Sequence, residues 1–274
     1  MREHYNLIIA GGGPAGVAAA IAAKRFGINV LLIERYGFFG GTGTAALVQP
    51  WMAYKTGDKT VIGGIFSGIV DNLRESGGIK DSGHLGMIHH CFDPEILKMV
   101  LQEMLISAGV DLLLHTIITG SITGNGLITG VKVWNKSGSG EIFGDLFIDA
   151  TGDADLAYYS DASFEKGRPG DGAMQPVSLH FRIGGVDESR MPDREKMTDL
   201  YIAAKNKGKL SCPRENLLWF DTPRRGEIHF NTTRVPGIDG TSGIDLTRAE
   251  LESRKQMRDF LTFLKKEVPG FENC

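Results

Sequence analysis

The sequence contains few cysteines, and their positions exclude several kinds of site. The chain has three cysteines among 274 residues, namely Cys91, Cys212 and Cys274. None lies within two or three residues of another, so no CxxC pair exists for a structural zinc ion, a redox disulfide or an iron–sulfur cluster. We expect three free thiols and no metal site. Cys91, beside His89 and His90, is the one candidate for a reactive thiol.

Long apolar runs and a strong excess of charge are also absent. No run approaches the ~20 apolar residues that a membrane-spanning helix needs. The glycine run 11–16 interrupts the apolar N-terminal segment, and Glu3 lies where a signal peptide would be basic. We therefore predict a cytoplasmic protein with no membrane partner. A net charge of −3 does not favour a nucleic-acid partner either.

Glycine, in contrast, is abundant, and one glycine-rich run has the context of a dinucleotide-binding turn. The run Gly11-Gly12-Gly13-Pro14-Ala15-Gly16 follows the apolar stretch 7–10 and opens a helical stretch over 17–26. A second apolar stretch, 30–33, ends in Glu34. The order is strand, glycine turn, helix, strand and acid, which is the order of a dinucleotide-binding βαβ unit. An ordinary βαβ unit with a glycine-rich turn is the alternative, but it does not explain the acid.

Each residue of this pattern has a physical task. Gly11 permits the tight turn off the strand, Gly13 has no side chain to keep a pyrophosphate from the backbone, and Gly16 lets the helix pack closely. The first-turn N–H groups and the helix dipole then face the phosphates. Glu34 lies where a carboxylate can accept hydrogen bonds from both hydroxyls of an adenosine ribose.

The segment up to residue 114 continues an α/β pattern. Residues 35–44 are too rich in glycine for a helix and predict a loop. Helical spacing predicts a helix over 61–73, and Asp93-Pro94 starts another that ends near Ala108. The stretch 110–114 predicts a third parallel strand. His84, His89 and His90 fall in a segment that we interpret as irregular, with loop histidines rather than metal ligands.

Three strand-like pieces follow, at 117–123, 127–134 and 141–148, separated by short turns. Short strands joined by short turns predict an antiparallel meander. Such an insertion in a doubly wound sheet is unusual for a nicotinamide-dependent dehydrogenase and is expected of an FAD-binding domain.

Together these motifs resemble those of FAD-dependent oxidoreductases of the glutathione-reductase-type flavoprotein superfamily. The resemblance covers essentially the whole chain. The residues that carry it are Gly11–Gly16, Glu34-Arg35 with Gly40-Gly41, Asp149–Asp155, Phe164–Arg168, Phe181–Asp187 and Val268–Asn273. It implies an α/β fold, with a Rossmann-like, three-layer FAD-binding domain over 1–155 that contains the meander (about 117–148). An α+β substrate-side region over 156–274 would follow and end in a long helix.

The resemblance also implies which residues hold FAD. The pyrophosphate would lie on the glycine turn, the adenosine ribose on Glu34, and the phosphate and ribityl region near Gly40-Gly41. Ile118 would lie near the adenine, and Thr151-Gly152 would pass close to the cofactor, whereas Asp153 is expected to cap the next helix. The full set is Gly11, Gly13, Pro14, Ala15, Gly16, Glu34, Arg35, Gly40, Gly41, Thr42, Ile118, Ala150, Thr151 and Gly152.

Members of this family continue beyond the point that corresponds to Cys274, with a segment that returns to the nucleotide domain. We therefore expect this chain to correspond to an N-terminal portion in which part of the flavin side of the site is missing. The exposed sheet edge that such a portion leaves would favour self-association into a homo-oligomer. Any iron–sulfur cluster would have to come from an electron-transfer partner.

The second region offers two candidates for catalysis. Alternation over 177–183 predicts a strand that places His180 and Arg182 on one face. If that face meets the flavin, Arg182 would bind a carboxylate substrate or stabilise reduced flavin, and His180 would move protons. A polar, solvent-facing strand edge is the alternative. Further strands are expected at 217–220 and 227–231, and Thr247 with Glu250 predicts a capping box at the start of the last helix.

The sequence thus predicts an FAD-dependent oxidoreductase that transfers a hydride or electrons between a small molecule and flavin. A non-catalytic nucleotide-binding subunit that works beside another chain is the alternative from a different class. An NAD(P)-dependent dehydrogenase is a third, less favoured because of the meander and Gly40-Gly41.

Overall fold

The computed structural model describes residues 2–52, 54–56, 59–84 and 87–274. The chain forms two compact units. The first comprises Met1–Ile79 and Phe92–Glu165, and the second comprises Lys80–Cys91 and Lys166–Cys274. Residues 80–91 therefore belong to the same unit as the C-terminal part of the chain. The division predicted from the sequence, after residue 155, places them in the first domain instead.

The secondary structure alternates strands and helices in its first half. The helices are α1 (Pro14–Lys24), α2 (Ile65–Glu75), α3 (Pro94–Ser107), α4 (Asp155–Tyr159), α5 (Arg194–Asn206) and α6 (Gly243–Glu267). The strands are β1 (His4–Ala10), β2 (Val30–Ile33), β3 (Lys55–Thr56), β4 (Lys59–Thr60), β5 (Ile79–His84), β6 (Met87–Phe92), β7 (Asp111–Leu113), β8 (Ile117–Gly124), β9 (Leu127–Asn135), β10 (Gly138–Asp149), β11 (Phe181–Ile183), β12 (Trp219–Asp221) and β13 (Ile228–Phe230).

The first unit is built on one sheet with the order β7-β2-β1-β10-β9-β8. β1 pairs in parallel with β2 and with β10, and β7 pairs in parallel with β2. β10 then pairs antiparallel with β9, and β9 with β8. The third parallel strand and the meander expected from the sequence are both present. The last meander strand is itself the parallel neighbour of β1.

Side chains on the two faces of this sheet enter different cores. Ile9 and Leu32 pack in a core with residues of α1, α2 and α3. Ile8 and Leu31 pack in a second core with Val131 and other residues of the meander. Because the strands are apolar on both faces, they are covered on both sides, as parallel sheets require. Helices α1, α2 and α3 thus cover one face of the parallel strands, and side chains of the meander cover the other, in keeping with the three layers expected from the resemblance.

The second unit is a three-stranded sheet, β11-β13-β12, with α5 and α6 against one face. Phe181 and Phe230 stack across the sheet, with ring centroids 5.6 Å apart, and Phe260 of α6 packs edge-on against Phe230. The unit is therefore of the α+β kind and contains the long final helix that we expected.

Several local predictions were wrong in their bounds. The strand expected from residue 177 begins at Phe181, with only an isolated bridge between Val177 and Val235 before it. The final helix begins one turn before Thr247, because Ser242 accepts a hydrogen bond from the Asp245 backbone N–H and caps it there. A Ser-x-x-Asp pattern upstream thus takes the capping role that we expected of Thr247 with Glu250. The histidine segment, expected to be irregular, contains β5 and β6.

Candidate functional site

The glycine turn between β1 and α1 has the backbone that its sequence predicts. Gly11 has a φ of +98°, and a Cβ there would lie 2.4 Å from the Ala150 carbonyl oxygen. A Cβ on Gly16 would lie 1.9 Å from the Gly11 carbonyl oxygen. Gly13 differs from both, because the nearest atom to its Cβ position is the Gly41 Cα, at 3.9 Å. Gly11 and Gly16 are required by the fold, whereas the space beside Gly13 is open.

Helix α1 begins at this turn without a side-chain cap. Gly13 is the N-cap, Pro14 occupies the first helical position, and Val17 N–H donates to the Gly13 carbonyl oxygen. The first turn contains no acidic residue. Its free N–H groups and the positive end of the dipole suit an anion such as a phosphate. Pro14 and Ala15 are exposed beside it.

The Glu34 side chain is buried at the end of β2 and oriented by two backbone groups. One carboxylate oxygen accepts a hydrogen bond from Gly12 N–H at 2.7 Å, and the other accepts one from Tyr36 N–H at 2.9 Å. Each carboxylate oxygen can accept more than one hydrogen bond, so acceptor capacity remains for ribose hydroxyls.

The loop after β2 lies against the glycine turn. Gly40 N–H donates to the Gly12 carbonyl oxygen at 2.9 Å, and the chain then forms a 3-10 turn over Gly41–Gly43. Gly41 has a φ of +50°, and a Cβ there would lie 2.9 Å from the Gly13 Cα. Two glycine backbones therefore face each other closely, with Thr42 exposed next to them.

A cleft opens beside this arrangement. Five of the predicted cofactor residues line it, namely Gly11, Glu34, Arg35, Ile118 and Thr151. Four residues that the sequence reasoning missed also line it, namely Ile33, Thr116, Ile117 and Asp155. Thr116 and Ile117 directly precede Ile118 at the start of the meander, so their place in the sequence beside a predicted cofactor residue could have identified them. Ala150 does not line the cleft, and its N–H donates to the Ala10 carbonyl oxygen at 2.8 Å.

The segment after β10 is held by Asp149 rather than by Asp153. Asp149 accepts hydrogen bonds from Thr151 N–H at 3.0 Å and from Ala157 N–H at 2.8 Å. The Thr151 hydroxyl oxygen accepts from Asp155 N–H at 2.9 Å. The expected cap at Asp153 is therefore wrong, and Gly152 has a φ of +93°.

The carboxyl of Asp155, which lines the cleft, has a pKa above its ordinary value. Burial raises the pKa of the Asp155 carboxyl, and the nearby carboxylates of Asp153 and Asp149 raise it further. The Arg35 guanidinium opposes that rise. Arg35 also lies over the Tyr36 ring, 4.9 Å from its centroid.

The predicted catalytic pair lies on the face of the second unit's sheet that also carries His229 and Phe220, here called the polar face. Register places Arg182 opposite His229. The Arg182 guanidinium donates to the Glu227 carboxylate at 3.2 Å, and His180 Nδ1 lies 3.0 Å from His229 Nε2. His180 and Arg182 are both half-buried. Sequence reasoning missed Glu227 and His229, because only strand pairing brings residues 45 to 49 positions away to this face.

Both histidines of this face have a depressed pKa. Burial, followed by the positive charge of Arg214, lowers the pKa of His180 to about 4. Burial lowers the pKa of His229 to about 3, with further contributions from His180 and Arg182. Both rings are therefore neutral at pH 7.

His90 and Cys91 are the remaining candidates whose side chains the structure describes. His90 is buried, with Nδ1 2.5 Å from the Asp81 carboxylate, so a carboxylate does lie beside it. The side chains of His84 and His89 are outside the described part of the structure. Burial, then the charge of Asp221, raises the pKa of the Cys91 thiol to about 12, which is opposite to what a reactive thiol needs. The described residues include no group of three or more potential metal ligands.

Comparison with known proteins establishes the family to which this chain belongs. The model of the family described as FAD dependent oxidoreductase matches residues 6–274. The chain belongs to this family. The resemblance predicted from the sequence is therefore confirmed, as is FAD as the cofactor of the family.

Individual relatives are more distant. Digeranylgeranylglycerophospholipid reductase 1 from Methanococcoides burtonii is 26% identical over 165 residues, which are 56% of this chain and 38% of that protein. The chain thus spans about two fifths of the length of this curated relative.

Solved structures of other proteins share the fold. A p-nitrophenol 4-monooxygenase from Pseudomonas putida has a TM-score of 0.61 at 10% identity, over 100% of this chain and 65% of that one. A geranylgeranyl bacteriochlorophyll reductase-like protein from Thermoplasma acidophilum has a TM-score of 0.59 at 15% identity, over 98% and 63%. The predicted fold class is confirmed. Among the described helices, none combines the length and apolarity needed to cross a bilayer.

Proposed function

We propose that this protein is an FAD-dependent oxidoreductase whose first unit holds the ADP part of the cofactor. The observation that carries the proposal is the open space beside Gly13, which is bounded by Gly41 and directly follows Gly12, the residue whose N–H orients the Glu34 carboxylate. A side chain at Gly13 would meet no close protein atom, so the fold alone does not account for a glycine there.

The residues of the first unit would divide the cofactor between them. The first turn of α1, with Gly11, Gly13, Pro14, Ala15 and Gly16, would take the pyrophosphate. Glu34 would bind the adenosine ribose, with Arg35 and Ile118 beside the adenine. Gly40, Gly41 and Thr42, together with Ala150, Thr151 and Gly152, would contact the phosphate and ribityl region.

FAD would supply the hydride or electron transfer, and the protein would supply binding, orientation and electrostatics. His180 and Arg182 would contact the substrate, Arg182 by its positive charge and His180 as a hydrogen-bonding or proton-transferring group. The relatives include reductases and a monooxygenase by name, so a small molecule is proposed as the substrate without a narrower class. We also propose a cytoplasmic location and an electron-transfer partner.

The experiment is a titration of the purified chain with ADP and with FAD. We expect ADP to bind in calorimetry and FAD absorbance to be retained through gel filtration. Gly13→Ala should weaken ADP binding by about tenfold or more, equivalent to about 1.4 kcal/mol, because its Cβ would enter the space of the pyrophosphate. Gly124→Ala is the matched control, since that glycine also has no close neighbour and is the last residue of β8.

Three results separate the alternatives. Retention of FAD supports the oxidoreductase. Binding of ADP without retention of FAD favours the nucleotide-binding subunit that needs a partner chain. Failure to bind either ligand, or equal effects of the two glycine variants, contradicts the proposal.

A further inference from the structure

The two histidines on the polar face of the second sheet are hydrogen-bonded directly to each other. His180 Nδ1 and His229 Nε2 are 3.0 Å apart. Two neutral imidazoles can share such a contact only if one nitrogen carries the hydrogen and the other accepts it. The direction of this hydrogen bond fixes the tautomer of both rings.

The surroundings of His229 select the direction. Its other nitrogen, Nδ1, is buried and has no hydrogen-bond partner. If that nitrogen carried the hydrogen, a buried N–H donor would be left without an acceptor, which is rarer in proteins than an unused acceptor. The hydrogen of His229 therefore lies on Nε2, and His229 donates to His180 Nδ1.

This donation leaves His180 with its hydrogen on Nε2. That N–H group makes no hydrogen bond to any residue within the described ranges. Arg182 lies two positions along the same strand, and its guanidinium is held at one nitrogen by Glu227. The charges of Arg182 and Glu227 cancel, whereas the nearby Arg214 adds a positive charge that acts on His180. The face thus presents unused N–H donors in a weakly positive environment.

We propose that His229 is a positioning residue that fixes the tautomer of His180, so that His180 Nε2–H and the Arg182 guanidinium together bind an oxygen acceptor of the substrate, a carbonyl or a carboxylate. The inference rests on the proposed function, because it assigns the chemistry by which that substrate is held. His180 is the group in contact with the substrate, and His229 acts through it. A cationic or purely apolar substrate would not use these donors.

The tautomers are measured directly in the full chain by nitrogen-15 NMR of the imidazole rings at pH 7. We expect both His180 and His229 to be neutral with the hydrogen on Nε2. His4 is an internal control, because it lies at the surface against Asp145 and is unrelated to this pair. A hydrogen on His229 Nδ1, or a protonated ring at either position, would overturn the inference without any variant.

Ligand binding is measured in the same spectra with benzoate as the probe carboxylate and acetophenone as the probe carbonyl. Saturable shifts of His180 Nε2 and of the Arg182 guanidinium, with His4 unmoved, are expected for at least one probe. No shift at His180 with either probe would overturn the assignment of an oxygen acceptor.

Two variants of His229 distinguish a role in positioning His180 from a role in packing alone. His229→Gln keeps a side-chain N–H that can donate to His180, whereas His229→Leu removes it. We expect the leucine variant to average the two tautomers of His180 and to weaken probe binding about tenfold, with the glutamine variant near wild type. Equal behaviour of the two variants would contradict the positioning role. FAD retention is followed separately, so a chain that binds FAD but not the probes refutes this inference alone.

Discussion

The buried carboxylate of Glu34 accepts a 2.7 Å hydrogen bond from the backbone N–H of Gly12. The acid at the end of β2 and the turn at the end of β1 are thus joined directly. A carboxylate held in this way is oriented before any nucleotide arrives, which reduces the entropy cost of binding. Glu34 therefore serves the fold and the proposed cofactor site at once.

Replacement of Glu34 by glutamine should affect both roles. Glutamine can accept one of the two backbone hydrogen bonds, but its amide NH2 would then face the other N–H. We expect Glu34→Gln to lower the free energy of unfolding by about 1–3 kcal/mol and to weaken ADP binding. Urea unfolding and calorimetry measure the two effects. Glu103→Gln, on the exposed side of α3, is the control and should change neither. Unchanged stability in the Glu34 variant would contradict the orienting role of these hydrogen bonds.

Gly16→Ala tests whether steric contact or helix propensity determines the stability of the turn at the start of α1. Propensity alone predicts a gain of about 1 kcal/mol, because alanine is the better helix former. The 1.9 Å approach of its Cβ to the Gly11 carbonyl oxygen predicts the opposite sign. We expect a loss of about 3 kcal/mol in urea unfolding, beside little change for Gly13→Ala. A stabilised Gly16 variant would show that the turn is less closely packed than described.

Acid should destabilise the second unit through His180 and His229. Their folded-state pKa values, about 4 and about 3, lie below the ordinary value of 6.5. An unfolded chain takes up protons near pH 6.5 that the folded chain cannot accept until lower pH. The stability that these groups contribute is therefore complete above pH 6.5 and is lost as the pH falls toward 4 and 3.

The measurement is the free energy of unfolding between pH 7.5 and 4.5 for wild type and His229→Gln. The difference between the two proteins should shrink as the pH falls, because the variant has lost one of the two titrating groups. Parallel curves for wild type and His229→Gln would mean that His229 is not kept neutral by the fold.

Thiol labelling should distinguish the three cysteines. Cys91 and Cys212 are buried, and Cys274 is partly exposed. Because the thiolate is the reactive form, the raised pKa of Cys91 further suppresses its reaction. Iodoacetamide at pH 8 should modify Cys274 first, and all three sites in urea, as read by peptide mass spectrometry. Native labelling of Cys91 at its unfolded-state rate would contradict the buried position.

Local signals in the sequence predicted much of the first unit. The glycine run, the Asp93-Pro94 helix start and the short turn between the first two meander strands each specify backbone geometry through the residues involved. Asn125 and Gly126 both have positive φ, as a tight hairpin turn requires. The cap of α4 could not be assigned in the same way, because Asp149 reaches Ala157 across eight residues.

The second unit was less predictable for physical reasons. The sequence analysis did not predict helix α5, although Asp193 caps it. Its buried side consists of Met197, Tyr201 and Ala204, but the charged residues between them make this helical spacing hard to detect. The partners of His180 and Arg182 lie on a strand that is distant in sequence. Pairing between strands, rather than any local pattern, creates the polar face.

The pairing of β1 with β10 sets an order of events during synthesis. β1 ends at Ala10, and the strand that completes its second side ends at Asp149. A nascent chain must therefore keep an apolar central strand with one unpaired side until the whole meander has been translated. Parallel pairings between distant segments form slowly and leave such edges open to other chains. The yield of folded protein should thus depend on translation pace and chaperone supply more than on the stability of the finished sheet.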